Sequence, residues 1–222
     1  MSRWLRGAPD RPDWVVVIAL KRLDQAKTRL QLDPGGRSEL ALAMALDTAV
    51  AVRQSPRVAA VFVVCPDPRV RDPFCREDVQ VIGTEPGDGM NSALSHGGAT
   101  AGKLFPGFGL AMMTGDVPAL RPAEITVALT YISNSGAVSF VADAEGTGTV
   151  LLAASAGSTV RPRFGASSAR AHTGAGALEV SDPRLVGLRR DVDSVEDLDT
   201  AVELGLGPYS TRALRRLSRL AS

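Results

Sequence analysis

Continuous apolar runs along the chain indicate buried β-strands. Residues 14–20, 58–64 and 110–113 are apolar at every position, and the first two runs are rich in β-branched side chains. A strand with no polar face is typical of a parallel sheet that is covered on both sides. Shorter candidate strands are found at residues 79–81, 137–142, 150–153 and 185–188.

Segments with helical spacing of apolar residues alternate with these strands. Ser38 is a candidate N-cap for a helix that ends near Arg53, and the helix that follows residues 110–113 is expected to begin only beyond Pro122. Further helices are predicted at residues 91–103, 124–132, 168–177 and 194–204.

This alternation predicts an α/β fold with three layers and a mostly parallel sheet. Only a short turn separates residues 137–142 from residues 150–153, so we expect an antiparallel pair at one edge of that sheet. The length of 222 residues fits a single domain, which we assign to residues 14–209. Residues 1–13 are interpreted as a flexible lead-in and residues 210–222 as a basic C-terminal tail.

Composition and charge restrict the partners of the protein. A net charge of +1 gives no reason to expect a nucleic acid or an anionic membrane as partner. The start has no apolar signal-peptide core, and no run reaches the length of a membrane span. Cys65 and Cys75 match no zinc pattern and are interpreted as a reduced pair. We therefore expect a cytoplasmic protein. The basic tail allows docking on a neighbouring subunit, as in a homodimer, but a frayed and solvated terminus is more common.

A basic loop follows the first predicted strand. Lys21, Arg22, Lys27 and Arg29 lie there, beside the edge of the sheet where α/β proteins bind ligands. Lysine and arginine side chains at such an edge suit a triphosphate, although a solvated charged loop is the alternative. The chain has neither a G-x-x-x-x-G-K-[ST] motif nor a G-x-G-x-x-G motif after this strand, which argues against a P-loop and against a dinucleotide-binding fold.

Carboxylates follow two further predicted strands. Asp116 comes directly after Gly115, which we expect to let a ligand approach the backbone, and Asp191 and Asp193 follow residues 185–188. Convergence of Asp116 with this pair would form a Mg²⁺ site with room for substrate phosphates. We assign Asp116 and Asp191 as ligands and Asp193 as their support. The alternative for Asp116 and Asp193 is a capping role at a turn or helix.

Glycines and hydroxyl groups form a second candidate site. Gly146-Thr-Gly-Thr149 precedes a strand, and residues 163–168 open a predicted helix. Glycine backbones, hydroxyls and a helix N-terminus together would bind a small phosphorylated acid, although an ordinary hairpin and N-cap is the alternative. His172 in this helix is interpreted as structural, and His96 has no supporting context.

Six motifs in order carry a family resemblance. They are Lys21-x-Leu-x-x-Ala-Lys-Thr-Arg-Leu30, Asn91 after a glycine-containing loop, Gly115-Asp-x-Pro118, Gly146-Thr-Gly-Thr149, Pro162-Arg-Phe-Gly165 and Arg190-Asp-Val-Asp193. Over roughly residues 14–209 the chain resembles the phosphoenolpyruvate and 2-phospho-L-lactate guanylyltransferases of deazaflavin coenzyme F-420 biosynthesis.

The resemblance implies a fold and a set of roles. The fold would be that of nucleotidyltransferases, similar to nucleotide-diphospho-sugar transferases, and the reaction would move GMP from GTP to the phosphorylated acid with release of diphosphate. The implied roles are Mg²⁺ binding by Asp116 and Asp191, GTP binding by Lys21, Lys27, Arg29 and Asn91, acid binding by Thr149, Gly165 and Ser168, and catalysis by Asp116 and Lys27.

The acceptor is less closely defined than the fold. The Phe164-Gly-x-x-Ser168 pattern and the Ala- and Arg-rich composition favour phosphoenolpyruvate over 2-phospho-L-lactate. Alternatives are a related transferase that uses molybdopterin or a sugar phosphate, and a GTP-binding regulator without catalytic activity.

Overall fold

The computed structural model describes residues 12–83 and 89–220. Its strands are β1 (Trp14–Ala19), β2 (Val58–Val64), β3 (Gln80–Ile82), β4 (Gly109–Thr114), β5 (Ser139–Ala142), β6 (Thr149–Ala154) and β7 (Leu178–Glu179). Its α-helices are α1 (Pro34–Arg53), α2 (Arg71–Arg76), α3 (Met90–Leu104), α4 (Pro122–Ser135), α5 (Ser168–Gly174), α6 (Val195–Leu204) and α7 (Pro208–Leu220). No described helix is both long enough and apolar enough to cross a membrane.

The described strands form one mixed sheet in the order β3-β2-β1-β4-β6-β5-β7. Strand β1 lies parallel to both of its neighbours, with Val15 opposite Ala60 on β2 and Leu110 on β4. Strand β6 runs antiparallel to β4 and β5, and β7 pairs in parallel with β5. The predicted α/β fold with a mostly parallel sheet is confirmed. The expected antiparallel pair is formed by β5 and β6, and β7 lies beyond β5.

Both faces of β1 are buried, which explains its uninterrupted apolar sequence. Val16 and Ile18 pack in one cluster with apolar residues of α1 and α4. Val15 and Val17 point to the other face and pack with residues of α3. Each fully buried side chain of this size contributes about 1.5–3 kcal/mol to stability. The three expected layers are therefore α1 and α4 on one face, the sheet in the middle, and α3 on the other face.

Two predicted helix starts are wrong, and local capping explains both. Helix α1 begins at Pro34 because the Asp33 side chain accepts hydrogen bonds from the N–H groups of Gly35 and Gly36, whereas Ser38 donates to the Leu23 carbonyl. Helix α4 begins at Pro122 itself, since the first helical position needs no backbone N–H group.

The strand predicted at residues 185–188 is also wrong, because this segment forms turns. The last strand is β7, which precedes it. The Gly187 N–H group donates to Glu124 Oε1 at 2.7 Å, a partner on α4 rather than on a neighbouring strand. A Cβ atom on Gly187 would lie 2.3 Å from the Ala119 carbonyl oxygen, so the segment packs closely against the chain that leads into α4.

The C-terminal segment is a packed helix and not a frayed tail. Helix α7 lies on α1, with Ala213 buried at the contact. The buried Asp47 carboxylate on α1 accepts from the N–H groups of Tyr209 at 2.9 Å and Ser210 at 2.7 Å. This carboxylate satisfies N–H groups at the start of α7 and fixes its position. The fold therefore continues past the predicted domain boundary at residue 209.

The amino-terminal end of the described chain is held by a buried arginine. The Arg57 guanidinium binds both carboxylate oxygens of Asp13, at 2.8 and 2.6 Å, and donates to Thr130 Oγ1 and Ser133 Oγ on α4. Asp13, which was assigned to the lead-in, is thus part of the folded structure. Residues 1–11 of the predicted lead-in lie outside the described residues.

Candidate functional site

The reversed direction of β6 brings several candidate residues to one edge of the sheet. Strands β1, β4 and β5 run in the same direction and all end at this edge. Strand β6 runs the other way and begins there, as shown by the pairing of Leu151 near its start with Met113 near the end of β4. The edge therefore carries the basic loop after β1, Asp116 after β4, Asp143 after β5 and Thr149 at the start of β6.

Lys27 joins the basic loop to the carboxylates. Its Nζ donates to Asp116 Oδ2 at 2.6 Å and to Asp193 Oδ1 at 3.2 Å, and also to the Val192 carbonyl. Its side chain is only 7% exposed. Burial alone would lower the pKa of Lys27, but the charges of Asp116 and Asp193 outweigh it and raise this pKa above its ordinary value.

The backbone of Lys27 is strained. Its φ angle is +55°, in the left-handed region that non-glycine residues seldom adopt. Such a conformation persists only where surrounding contacts fix it, and here the three acceptors of the ammonium group do so. This residue is therefore held in place with its charge directed at the carboxylate cluster.

The predicted carboxylates come together as expected. The Val192 N–H group donates to the Asp116 carbonyl at 3.0 Å, which brings Asp191 and Asp193 beside the end of β4. Burial, together with the charges of Asp116, Asp193 and Asp143, raises the pKa of Asp191 to about 7. A carboxylate that is hard to ionise because other carboxylates surround it marks a place where a cation would be stabilised.

The donor set fits a Mg²⁺ ion. Asp116 Oδ1 is buried and has no hydrogen-bond partner among the described residues, so one strong acceptor is left unsatisfied. Within the described ranges no group of three or more His, Cys, Asp and Glu side chains has metal-binding geometry. A site with one or two carboxylates and open positions is the arrangement that Mg²⁺ uses when substrate phosphates complete its coordination.

Gly115 is closely packed against the end of β1, and its predicted role in letting a ligand approach stays a prediction. A Cβ atom there would lie 2.1 Å from Leu20 Cδ2 and 3.0 Å from Ile18 Cγ2. Gly115 thus lets β4 end against β1, and this contact sets the position of the neighbouring Asp116.

The glycine-containing loop before β6 is organised by Asp143, a residue outside the predicted site. Asp143 Oδ1 accepts from the Thr147 N–H group at 2.9 Å, and Oδ2 accepts from the Gly148 N–H group at 2.7 Å. These two N–H groups are therefore engaged within the protein, although glycine backbones were expected to bind an anion. The sequence signal for Asp143 was its position, since it is an acidic residue directly after the strand predicted at residues 137–142.

Two hydroxyl groups near this loop remain as candidates for the predicted anion site, whose role stays a prediction. Thr149 Oγ1 and His172 Nδ1 are 2.9 Å apart, and His172 Nε2 lies 3.0 Å from the Arg163 backbone nitrogen. The Ser168 hydroxyl is buried and has no hydrogen-bond partner among the described residues. Burial and the charge of Arg163 both lower the pKa of His172, so its ring is neutral at pH 7.

Asn91 orients the loop around Gly165. Its side-chain amide donates to the Phe164 carbonyl at 2.9 Å and accepts from the Phe164 N–H group at 2.7 Å. Gly165 follows with a φ angle of +134°, which favours glycine. The predicted contact between Asn91 and a nucleoside stays a prediction, and the loop before Asn91, residues 84–88, lies outside the described residues.

Lys21 and Arg29 are exposed on the loop after β1. The structure places them on the same loop as the buried Lys27, and their predicted contact with triphosphate oxygens stays a prediction. The roles of Gly165, Thr149 and Ser168 in acid binding also stay predictions. Thr149 begins β6, Gly165 lies in the loop before α5, and Ser168 begins α5.

Comparison with known proteins identifies the family. Residues 21–180 match the MobA-like NTP transferase domain. A phosphoenolpyruvate guanylyltransferase from Salinispora arenicola is 47% identical over 199 residues, which cover 88% of this chain and 90% of the relative. A protein of the same name from Geodermatophilus obscurus is 41% identical and covers 93% of this chain and 96% of its own length.

Solved structures with low sequence identity share the fold. A protein from Desulfovibrio desulfuricans, assigned by inference to the nucleotide-diphospho-sugar transferases, superposes with a TM-score of 0.69 at 16% identity. It covers 94% of this chain and 96% of that chain. A cytidylyltransferase from Leptospira borgpetersenii gives a TM-score of 0.58 at 12% identity, covering 95% and 96%. The chain has a nucleotide-diphospho-sugar transferase-like fold and belongs to the phosphoenolpyruvate guanylyltransferase family of MobA-like NTP transferases.

Proposed function

We propose that this protein transfers GMP from GTP to phosphoenolpyruvate and releases diphosphate, as a step of coenzyme F-420 biosynthesis. The observation that carries the proposal is that two groups of side chains lie at the same edge of the sheet. The first is Lys27 with the carboxylates of Asp116 and Asp191, and the second is the hydroxyls of Thr149 and Ser168. A charge cluster of this kind suits a triphosphate with its cation, and the neighbouring hydroxyls suit a second, smaller anion. The names of the relatives agree with this pair of ligands.

The reaction needs no general base. A phosphate oxygen of the acceptor attacks the α-phosphorus of GTP, and the bond between that phosphorus and the oxygen bridging to the β-phosphate breaks, so that diphosphate leaves with the electron pair. The attacking oxygen is already anionic at neutral pH, so no proton has to be removed from it. Catalysis then depends on in-line positioning and on neutralisation of charge.

Residues around Asp116 supply this charge neutralisation. Bound Mg²⁺, held by Asp116 and Asp191 with Asp193 in support, would neutralise charge on the reacting phosphates. Lys27 stays protonated because its pKa is raised, and its three donors are taken by Asp116, Asp193 and the Val192 carbonyl. It would therefore face the GTP phosphates as a fixed positive charge that also orients Asp116. The exposed Lys21 and Arg29 bind the triphosphate from the solvent side.

A diphosphate-release assay tests the proposal. GTP is offered with Mg²⁺ and one acceptor at a time: phosphoenolpyruvate, 2-phospho-L-lactate, 3-phosphoglycerate, a sugar phosphate and molybdopterin. We expect the highest kcat/KM with phosphoenolpyruvate, and higher activity with GTP than with ATP or CTP. Preference for molybdopterin or the sugar phosphate would contradict the acceptor assignment. Binding of GTP without diphosphate release from any acceptor would indicate a regulator.

Substitution of Asp116 tests the metal assignment. We expect Asp116→Asn to abolish turnover while the protein remains folded, since the amide keeps the shape of the carboxylate but not its charge. Asp78→Asn is the matched control, because the Asp78 side chain is 81% exposed and paired with Arg53 outside the site. The metal assignment is wrong if Asp116→Asn keeps most of the wild-type activity, or if Mg²⁺ titration by calorimetry gives the same affinity in both variants.

A further inference from the structure

The hydrogen-bond partners of His172 define where its proton lies. Its Nε2 is 3.0 Å from the backbone nitrogen of Arg163, and a backbone N–H group can only donate. Nε2 must therefore be the unprotonated nitrogen of a neutral ring, and the proton is on Nδ1. The Nδ1–H group then donates to Thr149 Oγ1, which is 2.9 Å away. This tautomer follows from the identity of the partners rather than from observed hydrogen atoms.

The orientation of the Thr149 hydroxyl follows from this tautomer. Because Thr149 Oγ1 accepts from His172, its own proton points away from the ring. No acceptor for that proton is found in the part of the chain that the structure describes. The Ser168 hydroxyl, also buried and unpartnered among the described residues, is brought to the same loop by the hydrogen bond from the Ala169 N–H group to the Thr147 carbonyl at 3.1 Å. Two hydroxyl donors in one small region therefore have no acceptor among residues 12–83 and 89–220.

The ring of His172 is rigidly held. Its side chain is buried, with the ring centroids of Phe140 and Phe164 at 5.7 and 5.6 Å. The same ring accepts from Arg163, one residue before Phe164, so a single side chain connects the start of β6 to the loop that carries Gly165. Rotation of the ring would break both hydrogen bonds at once.

We propose that His172 is a positioning residue that fixes the Thr149 hydroxyl as a hydrogen-bond donor to the anionic group of the acceptor. Its second contact holds the Arg163–Gly165 backbone beside that hydroxyl. This inference rests on the proposed function, since it takes the region around Thr149 as the acceptor site. The ligand class is a small acid with a phosphate or carboxylate group, for which a hydroxyl with a fixed proton direction is complementary.

Two conservative substitutions separate the contacts of His172. Asn places its amide near the position of Nδ1 and can still donate to Thr149, but it gives up the acceptor for Arg163. Gln places its amide near Nε2 and can still accept from Arg163, but it gives up the donor to Thr149. Thr149→Val removes the hydroxyl with little change in shape. The set is therefore His172→Asn, His172→Gln, Thr149→Val and the His172→Gln/Thr149→Val double variant.

Steady-state kinetics with phosphoenolpyruvate and GTP give the main readout. We expect Thr149→Val and His172→Gln each to raise the KM for phosphoenolpyruvate about tenfold or more, the usual effect of losing a hydrogen bond to a charged group, with the KM for GTP unchanged. His172→Asn should keep a KM for phosphoenolpyruvate closer to that of the wild type than His172→Gln does. The double variant should resemble Thr149→Val alone, because both changes remove the same interaction.

A purely structural histidine would give a different result. Substitution of such a histidine would lower kcat and raise the KM values for phosphoenolpyruvate and GTP together. Its effect would also multiply with that of Thr149→Val in the double variant. Each of these two results on its own overturns the inference. Melting curves of all variants verify that the compared proteins are folded.

Calorimetric binding of phosphoenolpyruvate separates this inference from the proposed function. If the wild type binds phosphoenolpyruvate but releases no diphosphate, the proposed function fails, while the coupling between His172→Gln and Thr149→Val in the dissociation constants still supports His172 as a positioning residue. If the wild type binds neither phosphoenolpyruvate nor inorganic phosphate, the inference is wrong.

Discussion

The turn segment before Asp191 provides a sharp test of how the site is held. We predict that Gly187→Ala destabilises the protein and displaces the Asp191 loop. A Cβ atom at this position would lie 2.3 Å from the Ala119 carbonyl oxygen and 2.7 Å from Glu124 Oε2. The first of these atoms belongs to the backbone and cannot rotate away, so the two segments must separate by about 1 Å to reach ordinary van der Waals contact.

The expected loss has two parts. Overpacking of a buried position destabilises by about 1–3 kcal/mol. Separation of the segments also weakens the hydrogen bond from the Gly187 N–H group to the buried Glu124 carboxylate, which contributes about 1.5–3 kcal/mol as a bond to a charged group. If both parts are lost in full, the free energy of unfolding falls by about 2.5–6 kcal/mol, which corresponds to a melting temperature lower by roughly 5–20 °C in a chain of this size.

Urea denaturation and diphosphate release together measure both consequences. Gly102→Ala is the matched control, because a Cβ atom on that exposed glycine of α3 meets no atom within 4 Å. It should stabilise the helix by about 0.5–1 kcal/mol, since glycine is less favourable than alanine inside a helix. Gly187→Ala should also lose more activity than its folded fraction predicts, because Asp191 lies four residues further on.

A change in unfolding free energy below about 1 kcal/mol for Gly187→Ala would refute this reasoning, since it would mean that the close contact with Ala119 is absent in solution. Normal stability with lost activity would have a different meaning. The glycine would then serve a bound ligand and not the packing of the loop.

Three further predictions concern packing, pH and the C-terminal helix. Gly115→Ala should lower the free energy of unfolding by about 1–2 kcal/mol, which is the lower end for overpacking because Leu20 can rotate away. Adding Leu20→Ala to this variant should restore its stability in a thermal melt. Because the pKa of His172 is lowered, its stabilising contribution is complete above its ordinary pKa of 6.5 and is lost as the pH falls through the lowered value. The difference in free energy of unfolding between wild type and His172→Gln should therefore narrow from pH 7.5 to pH 5. A constant difference would contradict the buried neutral ring. Ala213→Asp should lower the melting temperature by several degrees because it buries a charge between α1 and α7, whereas the exposed Arg212→Asp should change it little, and equal melting temperatures would mean that α7 is not docked.

Strands that are buried on both faces were readable from the sequence. Residues 58–64 were predicted as a strand and form β2 with the same bounds, because every position on such a strand needs an apolar side chain. The equally apolar run at residues 185–188 forms turns, since the Gly187 N–H group is satisfied by the Glu124 carboxylate, 63 positions earlier in the chain. A local pattern contains no information about such a partner.

The location of the site was predictable, but its internal contacts were not. Parallel strands end at a common edge, so Asp116 and the loop after β1 had to be neighbours. The three acceptors of Lys27 and the pairing of Asn91 with Phe164 depend on loop conformation, which follows no sequence period. The tail was interpreted as frayed because the pairing of its first N–H groups with Asp47 is likewise long-range.

The reversed direction of β6 has a consequence for engineering. The hydroxyl groups of Thr149 and Ser168 lie directly after the loops that follow β5 and β6. The carboxylates and Lys27 come from the connections after β1 and β4 and before α6. The two ends of the site are therefore encoded by different stretches of sequence. Exchange of residues 144–149 and 161–172 with those of a relative that uses another acid should transplant acceptor preference onto this scaffold. Asp143 is kept because its charge acts on Asp191, and the exchanged loop has to keep the backbone contact of position 164 with Asn91.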